Sequence, residues 1–288
     1  MAHQLAALII GLILLFTAGA PATAQDAAAQ QSDSAITDVP QIQAETQYPT
    51  PPLHAAALAL QCSVPQSEVA RDAPLSHTAA RIEASKKMRV LAIGSSATWS
   101  GNKSGNYPSR LEKLLENVWK GIDVEVVNRG VSGEIASVSA RRLINEAAIL
   151  KPSLVLWQLG TNDAVARVPV VEFETTVRAT VRMLNKNKID VVLVGLQYTP
   201  KYARDEHWFE IRSALDRIAL EENLLYVRRD KAMEFLAQTK AASEVSADDE
   251  FSLNDLGFPC MAEHIAQAMV ANIFLRRSGD RRGATPAR

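Results

Sequence analysis

Cysteine is scarce, with 2 in 288 residues, too few for a disulfide-dense scaffold or a four-cysteine zinc site. A surplus of one charge sign is also missing. The net charge is -1 at pH 7, without the broad basic excess of a nucleic-acid-coating protein, so no nucleic-acid partner is expected. No Gly-x-Gly-x-x-Gly follows the first strand-like run, and a dinucleotide site has no support. Gly101-Asn102-Lys103-Ser104 only loosely matches a phosphate-binding loop: the glycine directly before the lysine is absent and the first spacing is wrong. No His/Cys/Asp cluster has metal-ligand spacing, and no cofactor is expected. What remains is an ordinary charged fraction, 22%, which excludes wholesale disorder. The length suits one large α/β domain or two small ones.

The two ends differ from the body. Residues 1–70 carry five acids and no Lys or Arg, whereas residues 276–288 carry five arginines against Asp280 alone. The stretch between them is charge-balanced. An apolar run from Leu5 to Ala18, then Ala22-Thr23-Ala24, fits an export signal over 1–24 with a small-x-small cleavage pattern. The run is shorter than the ~20 residues a spanning helix needs, so no stable membrane insertion is expected after cleavage. The leader lacks a Lys or Arg before its apolar run, which leaves a retained anchor as the alternative. Residues 25–57, rich in Ala, Gln and Pro, read as a disordered tether. Residues 58–275 read as the folded domain, and 276–288 as a basic flexible tail. The expected location is periplasmic or secreted.

Within the body, strand and helix patterns alternate. Short apolar runs at 89–93, 124–127, 154–157, 191–194 and 224–227 suit buried parallel strands. Between them, helical spacing appears at 107–118, 136–150, 173–184 and 208–220, with a closing helix at 254–275. This alternation predicts a doubly wound parallel sheet covered on both faces, with ligands bound beyond the carboxyl ends of its strands. Those ends carry the residues suited to chemistry. After the first strand comes Gly94-Ser95-Ser96, a small-residue turn able to present a hydroxyl at the sheet's rim. After the second comes Asn128-Arg129-Gly130-Val131-Ser132-Gly133, whose glycines let backbone N–H groups face a substrate oxygen. After the third comes Gly160-Thr161-Asn162-Asp163, where the Asn amide is a neutral donor for a developing oxyanion. Arg129 and Asp163 flank these donors, either paired with each other or orienting the loops.

As an ordered set, these blocks resemble those of the SGNH (GDSL-like) hydrolases, a family of serine esterases. The match spans roughly residues 86–275. The resemblance implies a three-layer α/β/α flavodoxin-like sandwich with a parallel five-stranded sheet. It implies Ser96 as nucleophile, an oxyanion hole made by the Ser96 N–H, the Gly133 N–H and the Asn162 side chain, and Asp249 in the triad-acid position. Two departures stand out. Ser95 replaces the first-block Asp, which is outside the triad. In the last block, Asp249-Glu250-Phe251-Ser252 has Ser252 where the family's catalytic histidine belongs.

No other histidine replaces it obviously. His264 falls about nine residues into the closing helix, roughly 13 Å along it. His207, in the loop after the fourth strand, is the one substitute base suggested by placement, against the simpler alternative of a surface loop histidine. Cys62 and Cys260 fit an exported protein that pairs them, the alternative being two buried free thiols. The function expected is an exported serine esterase acting on a small-molecule or carbohydrate ester, the expected case being an O-acyl group of an envelope or extracellular carbohydrate. The alternative is a pseudo-enzyme that binds a glycan or acyl group without turnover.

Overall fold

The computed structural model describes residues 62–99, 106–241 and 250–273. The leader, the tether up to residue 57 and the basic tail lie outside the described residues, as does Asp249.

Five strands run parallel: β2 (Lys87–Ile93), β3 (Asp123–Asn128), β4 (Leu154–Gln158), β5 (Asp190–Val194) and β6 (Leu225–Val227). Across the sheet they stand in the order β6-β5-β4-β2-β3. In chain order of the five this is 2-1-3-4-5, the flavodoxin-like arrangement with its switch point beside β2. The sheet has one more strand than the sequence predicts. β1 (Ala70–Arg71) pairs antiparallel with β6 at the edge. Two residues are too short to leave a periodicity, which is why the apolar pattern gives no sign of it.

Helices cover both faces because both faces of the strands are apolar. Val90, Ala92, Leu154, Leu156, Val192 and Val194 belong to one buried cluster, with α4 (Tyr107–Val118) and α10 (Glu250–Asn272) supplying Leu111, Leu115, Ile265 and Met269. Leu91, Ile93, Val155, Trp157, Val191 and Leu193 belong to the other. There α5 (Ala136–Leu150), α7 (Val170–Lys186) and α8 (Glu206–Glu221) supply Leu143, Phe173, Val177, Trp208 and Ile211. Successive strand residues thus alternate between two dry cores, the period-2 rule applied to a sheet with no wet face. α4 starts where its Pro108 predicts, with the Asn106 side chain accepting the Ser109 N–H at 2.9 Å. The sequence pattern passes over α2 (Ser76–Ser85) and α9 (Arg229–Ala241).

Cys62 and Cys260 form a disulfide across 198 residues of chain, with Cα atoms 5.1 Å apart and both residues buried. The paired alternative is therefore the correct one. Beside the bridge, buried His264 donates from Nε2 to the Cys62 carbonyl at 2.8 Å. Among the described residues, no helix is long and apolar enough to cross a membrane.

Candidate active site

The strand ends meet on one rim of the sheet. Gly94 ends β2, and Ser96 opens the short helix α3 (Ser96–Trp99). Ser96 is exposed while Ser95 is buried, so the turn sends one hydroxyl outward and the other into the protein. The turn is held from below by Gln158, the last residue of β4. Its Oε1 accepts the Ser95 N–H at 3.2 Å, the Ser95 hydroxyl at 3.3 Å and the Thr98 hydroxyl at 3.4 Å. Thr98 also bonds the Tyr107 hydroxyl at 3.2 Å. Burial pushes the Tyr107 phenol up to about 12, against the opposing pull of its Thr98 bond and of Arg229. Tyr107 is thus a neutral hydrogen-bonding group here and never an acid at working pH.

The second block is stitched to the first. The Val131 N–H donates to the Gly94 carbonyl at 2.8 Å, and the Arg129 N–H to Ala92 at 2.8 Å. Asn128 adds a side-chain link, donating from Nδ2 to the Thr98 carbonyl at 2.7 Å and accepting the Gly130 N–H at 2.9 Å. Gly133 has φ of +83°, a conformation that disfavours a side chain.

The third block closes the circle. Asn162 lies on α6 (Thr161–Val165) and donates from Nδ2 to the Glu134 carbonyl at 2.8 Å. Its neighbour Asp163 is 1% exposed and accepts the Ala136 N–H at 2.8 Å and the Gly160 N–H at 3.2 Å. Burial raises the Asp163 carboxyl, while those two N–H donors pull it back down. Arg129 pairs with Glu146 at 3.1 Å, not with Asp163. Of the two alternatives left by the sequence, the loop-orienting one describes Asp163.

Ser96, Gly133 and Asn162 are therefore carried on one hydrogen-bonded set of loops. The last block is different. Asp249 lies outside the described residues, and α10 begins at Glu250, which places Ser252 within the closing helix that the sequence pattern starts only at residue 254. His207, the substitute base suggested by placement, has both ring nitrogens engaged. Nδ1 lies 2.9 Å from Glu210 Oε2, and Nε2 lies 3.0 Å from the Val168 carbonyl. To serve Ser96 it would first have to give up one of these. The bonding roles of Gln158, Asn128 and Glu134 escape the sequence reading for a common reason. Each residue is an amide or a carboxylate in or beside an apolar run, and only the fold reveals what it bonds. The one signal was Gln158, a polar residue closing an otherwise apolar strand.

Beside α6, the loops after β4 and β5 border an open cleft of about 710 Å³, lined by Val165, Arg167, Lys201, Tyr202, Arg204 and His207 among others. Its lining is mostly charged and polar. Among the described residues no group of three or more His, Cys, Asp or Glu is placed to hold a metal ion.

Comparison with known proteins agrees with this architecture. The profile of the Non-GDSL lipase-like family matches residues 61–274. An arylesterase of Vibrio mimicus is 25% identical over 194 residues, covering 66% of this chain and 92% of that protein. Esterase TesA of Pseudomonas aeruginosa is 27% identical over 119 residues, covering 41% of this chain and 58% of its own. Among solved structures, a lipolytic protein of the G-D-S-L family from Desulfitobacterium hafniense has a TM-score of 0.50 at 25% identity, over 63% of this chain and 99% of that one. A variant of a Geobacillus acetyl-xylooligosaccharide esterase has a TM-score of 0.53 over 66% and 97%, and at 19% identity it speaks to the fold alone. With a family match that runs from just before Cys62 to just past the end of α10, the chain belongs to the Non-GDSL lipase-like family and is an SGNH/GDSL-like hydrolase.

Proposed function

We propose that this protein is an exported serine esterase that removes an O-acyl group from an envelope or extracellular carbohydrate. The observation that carries the reading is the stitching of three strand-end blocks into one site, by Val131 N–H to Gly94 O and by Asn162 Nδ2 to Glu134 O. In this mechanism the Ser96 hydroxyl attacks the acyl carbon. The Ser96 N–H, the Gly133 N–H and the Asn162 amide stabilise the oxyanion that develops on the former carbonyl oxygen. The sugar oxygen leaves with a proton, and water then cleaves the acyl-serine. Asp249 takes the acid position, and the general base has no assigned residue.

The relatives support the ester-cleaving part of this reading. The arylesterase and TesA relatives are esterases by name. Export rests on the apolar leader.

Ser252 favours a second reading, a pseudo-enzyme that binds a glycan or acyl group without turnover. Losing a triad member costs serine hydrolases roughly 10⁴ to 10⁶ in rate. Assay of the mature protein with a short-chain aryl acetate, beside Ser96→Ala and Ser252→His, separates the two. The esterase reading expects wild-type turnover that disappears in Ser96→Ala. Turnover that appears only in Ser252→His establishes the pseudo-enzyme instead.

A further inference from the structure

We propose that Arg142 and Glu134 form a positioning pair that fixes the aim of the Asn162 amide. The proposal rests on the esterase reading for its catalytic consequence. Arg142 stands midway along α5 and makes three donations. Nε reaches Glu134 Oε1 at 2.8 Å, Nη2 reaches Glu134 Oε2 at 2.5 Å and Nη1 reaches the Arg129 carbonyl at 2.6 Å. One guanidinium thus grips two points of the loop 129–135, at Arg129 and at Glu134, with Gly133 between them. The planar fork is what allows this: two parallel bonds go to one carboxylate, and a further N–H remains for the carbonyl.

Glu134 transmits the grip. Its side chain is 8% exposed, so the ion pair is shielded far more than an ordinary surface pair. Its backbone carbonyl accepts Asn162 Nδ2 at 2.8 Å. A primary amide has two N–H bonds in one plane. Committing one to Glu134 fixes that plane and therefore the direction of the other, the one left for an oxyanion. Glu134 and Arg142 are eight residues apart, so this is not a pair that merely supports one face of α5. It reaches out of the helix to the loop. The neighbouring Arg129–Glu146 pair makes a single contact and offers an internal control.

The test uses the full mature chain. Arg142→Lys keeps the charge and loses the fork. With aryl acetate, kcat is expected to fall about tenfold or more while KM and the melting temperature hardly move, since misplacing a catalytic group by ~1 Å can cost 10²-fold. Glu134→Gln should lower kcat similarly and also lower the melting temperature, because it leaves the Arg142 charge without its partner, and Glu146→Gln should do neither. In an Asn162→Ala background, Arg142→Lys should cost less than about twofold further, because a residue acting through Asn162 loses its effect when that amide is gone. Losses that multiply independently overturn the proposal. A second readout needs no turnover. By NMR, exchange of the Asn162 side-chain amide protons should accelerate in Arg142→Lys and Glu134→Gln but not in Glu146→Gln. Unchanged exchange overturns the positioning pair even in an active enzyme. A wild type without turnover, but with accelerated exchange in the variants, retires the esterase reading alone.

Discussion

At Gly94 an added methyl group has nowhere to go. A Cβ there would stand 2.6 Å from Thr98 Oγ1, and 2.8 Å from both the Cβ and the carbonyl oxygen of Gln158. Two of these three are strand atoms that cannot rotate away. The third is the hydroxyl that ties Thr98 to Gln158 and Tyr107. Gly94→Ala is therefore expected to destabilise by about 1–3 kcal/mol, the cost of overpacking a well-filled site. It should also disturb Ser96 next door, because Thr98 can yield only by leaving Gln158. Urea unfolding reads the first effect, and aryl acetate turnover at a temperature where the variant remains folded reads the second. The sequence marks Gly94 as a turn glycine but gives no hint of the crowding, which depends on a residue 64 positions later. The three loop blocks that hold Ser96, Gly133 and Asn162 were legible because small and amide residues follow the apolar runs, while the choice of those three within the blocks is what the family resemblance implies. Their supports were not, since Asn128, Glu134, Arg142 and Gln158 are defined by partners distant in sequence or by side-chain direction.

At the scale of elements, the five parallel strands were legible from apolar runs that end at glycine or a polar residue. The edge strand β1 and the helix α2 were not, because short or weakly patterned segments carry no usable period. α10 shows how tertiary context revises a boundary. It begins four residues before the predicted helix and takes in Ser252, so the block that should carry the base is helical. The same helix carries His264, whose burial depresses its pKa below the ordinary 6.5, against the raising effects of its bond to the Cys62 carbonyl and of Glu263. A folded state that resists protonation binds fewer protons than the unfolded chain as the pH drops below 6.5. The stability this group contributes is therefore complete above 6.5 and is lost as pH falls through the depressed folded value. The melting temperature of the wild type should decline over that window. His264→Gln, which can still donate to Cys62, should decline less steeply. Equal slopes by scanning calorimetry would remove His264 as the cause.

At the scale of the whole molecule, the feature with the widest reach is the Cys62–Cys260 bridge. Nearly every strand and helix described lies between its two ends. In the chain-entropy account a loop of 198 residues gains roughly 5 kcal/mol from closure, although removing native disulfides typically costs about 2–5 kcal/mol. The double variant Cys62→Ser/Cys260→Ser should unfold at lower urea by an amount in that range, measured at equal protein concentration and without reductant. An unchanged midpoint would mean that native-state strain cancels the gain. The bridge also makes the sheet and its site a covalent ring. A protease that cuts the chain once anywhere inside that ring does not release a fragment. The two pieces travel as one species of nearly unchanged mass until a reductant opens the bond, so a nicked protein can keep its strands in register and its rim of loops assembled.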